Sequence, residues 1–161
     1  MPSQRHCLYW NADVWLAYVN GEADRLPILD ALLADSASPK GNVELYTSVI
    51  SEVEVAFGKQ EQDKKALDPD IEEQIDHLWA DRNAVKIVEY HEAIGKEARE
   101  LMRLGITKGW SLKPLDAIHL ATAKHIKCEE FHTYDDRLLK YSNEVGFPIV
   151  KPHTLQARFG V

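Results

Sequence analysis

The sequence is poor in cysteine and contains no long apolar run. Its only cysteines are Cys7 and Cys128. They show no CxxC or Cys/His spacing and cannot form a disulfide framework, so they suit a reducing compartment. No stretch approaches the roughly 20 apolar residues that a membrane span needs, and the N-terminus lacks the apolar run of a signal peptide. We therefore expect a soluble, cytoplasmic protein that has no membrane partner.

Several common catalytic motifs are also absent. The chain has no GxSxG, GxxxxGK[ST], GxGxxG or HExxH motif, which argues against serine hydrolases, P-loop NTPases, dinucleotide-dependent enzymes and zinc proteases. The seven histidines are scattered, and no pair has the spacing of zinc ligands. His119 lies one helical turn after Asp116, and we interpret it as a packed or hydrogen-bonded histidine.

The chain also lacks the excess of basic residues that is typical of phosphate-backbone binders. It has 19 basic and 26 acidic residues, which gives a net charge of -7. The charges are unevenly distributed, because residues 101–161 hold 9 basic and 6 acidic residues. This last third is either a solvated charged surface or a track for phosphate groups, and the sequence leaves both interpretations open.

The length and the hydrophobic pattern predict one α/β domain over residues 1–161. A chain of 161 residues with 45% hydrophobic residues can form one compact core. Periodicity predicts strands that alternate with helices, a pattern that favours a central parallel sheet between two layers of helices. The predicted strands are 7–10, 43–48, 85–90, 130–134 and 147–150. The predicted helices are 14–19, 25–34, 49–58, 71–79, 94–105, 114–126 and 137–142, and 59–69 is predicted to be a loop.

Polar residues follow three of the predicted strands, where parallel sheets bind ligands. Asn11 and Asp13 follow the first strand, Glu54 follows the second within a predicted helix, and Asp135 follows the fourth. At 100° per residue, Glu54 lies about 40° from Ile50 on the apolar side of that helix, whereas Glu52 lies about 200° away. A carboxylate on that side is costly unless it is paired, hydrogen-bonded or bound to metal, so Glu54 is the stronger candidate.

Three further acidic residues could act either as helix caps or as metal ligands. Asp116 lies in the first turn of a helix that begins near Pro114, and Asp135 and Asp136 precede another helix, so each has a capping interpretation. Carboxylates that converge at one end of a parallel sheet would repel one another unless a cation compensates them. Oxygen-only ligands favour Mg²⁺ or Mn²⁺.

Four segments, in this order, make the chain similar to the PIN-domain nucleases, and particularly to the VapC-like toxins of toxin–antitoxin pairs. They are YWNADVW at 9–15, YTSVISEVE at 46–54, LDAIHLATA at 115–123 and TYD at 133–135. The resemblance implies a three-layer α/β/α fold and Mg²⁺- or Mn²⁺-dependent endoribonuclease activity on RNA. It places Glu54, Asp116 and Asp135 at the family's second, third and fourth acidic positions, with Asp136 as a helper.

The first of these segments departs from the family pattern. The family has an aspartate directly after the first strand, and this chain has Asn11 there, with Asp13 two places on. Either the acid has moved to Asp13, or the chain carries an inactivating change, natural or engineered, because a neutral amide binds a hard cation more weakly than a carboxylate.

Two alternatives to a nuclease follow from Asn11. One is a catalytically silent PIN-like binding module. The other is a phosphatase of the haloacid-dehalogenase type, whose DxD element resembles residues 11–13, although no Gly-Asp acidic block follows later. As partners the resemblance implies an RNA substrate, a cognate antitoxin and a second copy in a homodimer, and the segment 59–69 could contact either protein.

Overall fold

Five parallel strands form one sheet in the computed structural model, which describes residues 4–154. The strand order is β3-β2-β1-β4-β5, and all four neighbouring pairs are parallel. The strands are β1 (His6–Trp10), β2 (Val43–Ser48), β3 (Val85–Val88), β4 (Glu130–His132) and β5 (Ile149–Val150). The predicted parallel sheet is confirmed.

Helices cover both faces of this sheet. Their bounds are α1 (Ala12–Val19), α2 (Leu26–Ala37), α3 (Ser51–Glu54), α4 (Lys59–Lys64), α5 (Pro69–Ala80), α6 (Glu92–Thr107), α7 (Pro114–His125) and α8 (Ser142–Val145). Side chains alternate between the faces of a strand, so Leu8 and Trp10 pack with α1, α2 and α5, while Tyr9 packs with α6 and α7. These two cores confirm the three-layer α/β/α fold.

The register brings the carboxyl ends of β1 and β4 together. Trp10 is paired with His132, and the backbone N–H of Asn11 donates to the carbonyl oxygen of His132 at 3.0 Å. Asn11 and Thr133, which follow these strands, are therefore neighbours although 122 positions separate them along the chain. This junction of two central strands positions the candidate site.

The structure differs from the sequence prediction between residues 49 and 69. The predicted helix 49–58 is one turn, α3, because Val55 leaves the helical conformation (φ -106°, ψ 45°). Val53, predicted to lie on the apolar face, is 78% exposed, and the fully buried residue is Val55. The helical face that we assigned to this segment was therefore wrong, although Glu54 is turned inward by a different contact.

The predicted loop 59–69 contains helix α4, which the buried Glu61 holds in place. One carboxylate oxygen of Glu61 accepts from the backbone N–H of Gly58 at 3.0 Å, and the other accepts from that of Asp68 at 2.8 Å. This is the reciprocal end of a capping box, in which a glutamate three residues into a helix satisfies the N-cap. The spacing of Gly58 and Glu61 was therefore the signal that the sequence prediction missed.

Two further differences lie near the C-terminus. The predicted helix 137–142 is a 3₁₀ helix, Asp136–Tyr141, followed by α8. The predicted strand 147–150 shortens to β5 because Pro148 has no N–H to donate. No helix within residues 4–154 is long and apolar enough to cross a membrane. Residues 1–3 and 155–161 of the predicted single domain lie outside the described residues, and the single domain stays a prediction.

Candidate active site

Thr133 connects Asn11 and Asp13 at the ends of β1 and β4. Its hydroxyl donates to Oδ2 of Asp13 at 2.9 Å and accepts from the Asn11 amide nitrogen at 3.3 Å. The same carboxylate oxygen of Asp13 also accepts from the backbone N–H of Tyr134 at 2.8 Å. Asn11 and Asp13, the two candidate residues of the first segment, therefore lie at the same strand junction.

One side-chain oxygen of each of these residues has no partner. Oδ1 of Asn11 and Oδ1 of Asp13 are buried and lack a hydrogen-bond partner within residues 4–154. Burial raises the pKa of Asp13, and the bonds from Tyr134 and Thr133 only partly oppose that effect. Buried acceptors are normally satisfied, so these two unpaired oxygens are positions that a water molecule or a cation would satisfy.

Glu54 is held by His119, a contact that the sequence did not reveal. Nε2 of His119 lies 2.5 Å from Oε1 of Glu54, and Nδ1 lies 2.7 Å from the hydroxyl of Tyr9. Tyr9 in turn accepts from the backbone N–H of Ser48 at 3.0 Å. A consistent proton arrangement has Tyr9 donating to Nδ1 and the Nε2–H donating to Glu54, so a neutral imidazole orients the carboxylate.

Asp116 lies in the first turn of α7, and the charges of other carboxylates raise its pKa. Burial raises its pKa most, and the negative charge of Asp135 raises it further. The charge of Glu54 acts in the same direction, whereas His119 and Arg137 lower this pKa. The carboxylate of Asp116 is therefore within electrostatic range of Asp135 and Glu54, two of the acids that we assigned to the site.

Asp135 carries an arginine partner. Both of its oxygens accept from the Arg137 guanidinium, at 2.9 and 2.8 Å, and the backbone N–H of Arg137 adds a third bond at 3.0 Å. The hydrogen bond from the Arg137 side chain lowers the pKa of Asp135. The capping interpretation of Asp135 is therefore correct, and the residue is ionised at the same time. Asp136 is exposed.

Taken together, the acids influence one another electrostatically. Asp135 raises the pKa of Asp13 and of Asp116, and Glu54 raises that of Asp116. Their donor atoms, together with the Asn11 amide oxygen, are all oxygens. The donor set and the two unpaired buried oxygens fit a hard divalent cation such as Mg²⁺ or Mn²⁺.

His119 is expected to act as a positioning residue for Glu54. Replacing it with glutamine, which cannot bridge Tyr9 and Glu54 in the same way, should lower metal-dependent activity about 10- to 100-fold, the usual cost of losing a partner that orients a ligand. The His125→Gln variant is the matched control, because His125 is exposed on the same helix. Activity at different Mn²⁺ concentrations, with circular dichroism to verify folding, checks this. Equal activity in both variants would contradict the positioning role.

Comparison with known families gives a match over most of the chain. The family model of the PIN domain matches residues 10–144. A segment of 44 residues is 54% identical to ribonuclease VapC47 of Mycobacterium tuberculosis, and it covers 26% of this chain and 32% of that protein. The matched segment thus spans about a third of that curated relative. The match does not favour the phosphatase alternative.

Solved structures similar to this chain share its fold. VapBC2 of Rickettsia felis, bound to a promoter DNA fragment, has a TM-score of 0.62 at 13% identity, covering 89% of this chain and 96% of that one. FitAcB of Neisseria gonorrhoeae has a TM-score of 0.62 at 15% identity, covering 90% and 97%. A toxin–antitoxin complex from Klebsiella pneumoniae has a TM-score of 0.58 at 19% identity, covering 91% and 98%.

Proposed function

Because the chain belongs to the PIN-domain family, as the match over residues 10–144 shows, we propose that it is a metal-dependent endoribonuclease and the toxin of a toxin–antitoxin pair. The observation that carries the catalytic proposal is the buried Oδ1 of Asp13, which has no hydrogen-bond partner within residues 4–154. The charge of Asp135 raises the pKa of the Asp13 carboxylate and that of Asp116. The name of the mycobacterial relative, a ribonuclease, supports RNA as the substrate.

Each residue has a distinct role in this proposal. Asp116, Asp135 and Asp13 would hold one or two Mg²⁺ or Mn²⁺ ions, and Glu54 would supply the fourth carboxylate of the metal site. A bound divalent ion lowers the pKa of an attacking water and stabilises charge on the phosphate and the leaving oxygen. His119 keeps the Glu54 carboxylate oriented, and Arg137 keeps Asp135 ionised and fixed in position.

Asn11 limits the activity that we propose for this chain. Its amide oxygen is a neutral donor at the position where the family has a carboxylate, so the site has one negative charge fewer for the cation. Asp13 offers only its Oδ1 to a cation, because its Oδ2 is already bonded to Thr133 and Tyr134. We propose a working but weakened metal site.

The surface around α4 is the place that we propose for the antitoxin. A cavity of about 300 Å³ lies beside Phe57 and Leu67, which are 44% and 71% exposed. Large exposed apolar side chains next to a cavity favour a protein partner. The similar structure from Klebsiella pneumoniae is a toxin–antitoxin complex, which supports an antitoxin as that partner. Backbone hydrogen exchange of residues 57–67 should slow in the complex. Unchanged exchange would show that the antitoxin binds to a different surface.

A homodimer is also proposed. Ile106 and Leu115, 74% and 47% exposed, flank the turn between α6 and α7 and could contribute to such a contact. Light scattering at several concentrations measures the oligomeric state, and a monomer throughout would remove this part of the proposal.

The experiment that tests the function is cleavage of a mixed RNA substrate by the purified chain. Internal cleavage is expected with Mn²⁺ or Mg²⁺, and chelation with EDTA should abolish it. Fragment analysis distinguishes internal cleavage from digestion at the ends. If neither this chain nor its Asn11→Asp variant cuts RNA with either metal, the endoribonuclease proposal fails.

A further inference from the structure

A second cluster of possible ligands lies on the sheet outside the carboxylate site. Glu130 and His132 occupy alternate positions of β4, so their side chains share one face, and His153 reaches them from the segment after β5. Nε2 of His132 and Nε2 of His153 each lie 3.1 Å from Oε2 of Glu130. Glu130 is 3% exposed and His132 is fully buried. None of these residues belongs to the proposed nuclease site.

Hydrogen bonding restricts the proton positions in this cluster. Nδ1 of His153 lies 3.0 Å from the backbone carbonyl oxygen of Thr154. A carbonyl can only accept, so Nδ1 carries the hydrogen, and in the neutral ring Nε2 presents its lone pair to the Glu130 carboxylate. Two acceptors at 3.1 Å repel each other unless a cation, either a proton or a metal ion, lies between them.

The second imidazole, that of His132, is fully buried and shares its face of β4 with Glu130. Its Nδ1 is buried and has no hydrogen-bond partner within residues 4–154. His6 lies in the same part of the sheet, and its Nδ1 pairs with Glu129 at 2.9 Å.

The spacing of the donor atoms matches a tetrahedral ion. Metal–ligand bonds of about 2.0–2.1 Å place neighbouring ligand atoms of a tetrahedron roughly 3.3 Å apart. The two nitrogen–oxygen separations of 3.1 Å are close to this value, and all three donor atoms lie within 4.8 Å of one another. The bond from Nδ1 of His153 to a carbonyl is the outer contact that usually fixes the tautomer of a metal-bound histidine.

We propose that Glu130, His132 and His153 form a binding site for a zinc-class divalent ion. Two imidazoles and one carboxylate suit Zn²⁺ better than Mg²⁺, so the site would differ in metal preference from the oxygen-only nuclease site. The ion would tie residues 151–154 to β4. His153 is 26% exposed at its side chain, which leaves a path for the metal.

No two histidines of the sequence have the spacing of zinc ligands. The fold nevertheless brings two of them together, because β5 pairs with β4 and Val150 lies beside His132. His153 then follows only three residues after the end of β5.

Calorimetric titration of the chelated full-length chain with Zn²⁺, in excess MgCl₂ to occupy the oxygen-only site, tests the proposal. One equivalent of Zn²⁺ should bind. The His153→Gln variant should bind it at least about a hundredfold more weakly, because losing a ligand costs more than losing a ligand's partner. Glu130→Gln, which keeps the side-chain volume, should give a similar loss, and circular dichroism verifies that both variants fold.

Two control variants identify other sources of zinc binding. His91 and His125 form an exposed ring pair with centroids 4.8 Å apart, and His91→Gln should leave the zinc affinity unchanged. Glu54→Gln should also keep it, since Glu54 belongs to the other site. Visible absorption of the Co²⁺-loaded chain should show tetrahedral bands that His153→Gln loses. Failure of the wild-type chain to bind zinc, or full binding by His153→Gln, overturns the proposal.

Discussion

Replacing Asp116 with asparagine should reduce metal-dependent RNA cleavage about a thousandfold. Losing a carboxylate that holds the cation removes several kcal/mol of transition-state stabilisation, and ~4 kcal/mol corresponds to roughly three orders of magnitude in rate. Single-turnover cleavage with Mn²⁺ measures the effect. The Glu52→Gln variant is the control, because Glu52 is exposed and has no role in the site.

The same substitution should stabilise the metal-free protein. Burial and neighbouring acids raise the pKa of Asp116 in the folded state, so folding disfavours its ionised form. The contribution of this group to stability is therefore present below its unfolded pKa, about 3.9, and is lost as the pH rises through the higher folded value. At neutral pH asparagine avoids that loss, and thermal unfolding in EDTA should give a higher midpoint. A variant that is less stable and fully active would contradict both expectations.

The Asn11→Asp variant should have the opposite pair of effects. A second carboxylate beside Asp13 adds negative charge where the unpartnered Oδ1 of Asn11 lies, and cleavage with Mn²⁺ should increase about a hundredfold. Without metal, the new carboxylate would be buried, because Asn11 is only 4% exposed. The hydroxyl hydrogen of Thr133 is already donated to Asp13, so folding should cost about 1–3 kcal/mol more.

Metal should reverse that loss of stability. A cation that binds the folded state alone raises the unfolding midpoint, and Asn11→Asp should gain more from Mn²⁺ than the parent chain does. Midpoints with EDTA and with Mn²⁺, measured on both proteins, check this. Asn11→Gln is the control, because it keeps an amide and should gain no activity. Absence of cleavage and of extra metal stabilisation in Asn11→Asp would favour the catalytically silent module.

Glu54 is turned inward in the structure, but not for the reason that helical periodicity predicted. Helical periodicity placed Glu54 beside Ile50 and Val53 on an apolar face, but the helix is one turn long and Val53 is exposed. Glu54 is turned inward by the buried imidazole of His119 instead. No local pattern contains that contact, because the two residues are 65 positions apart.

The sequence by itself determined the class of fold and the order of its elements. Alternating strand and helix patterns predict a parallel sheet between two helical layers, because buried strands and one-sided helices pack in few ways. It also identified acids that follow the strands, since strand ends can be read from local residue patterns.

Only the tertiary structure decided which of these groups meet. It joined Glu54 to His119, connected Asn11 and Asp13 through Thr133, and left the Oδ1 atoms of Asn11 and Asp13 buried without partners within residues 4–154. Such contacts depend on strand register and on side-chain packing between distant segments, which composition and periodicity do not encode. The charge, burial and hydrogen bonding of the candidate site follow from that packing.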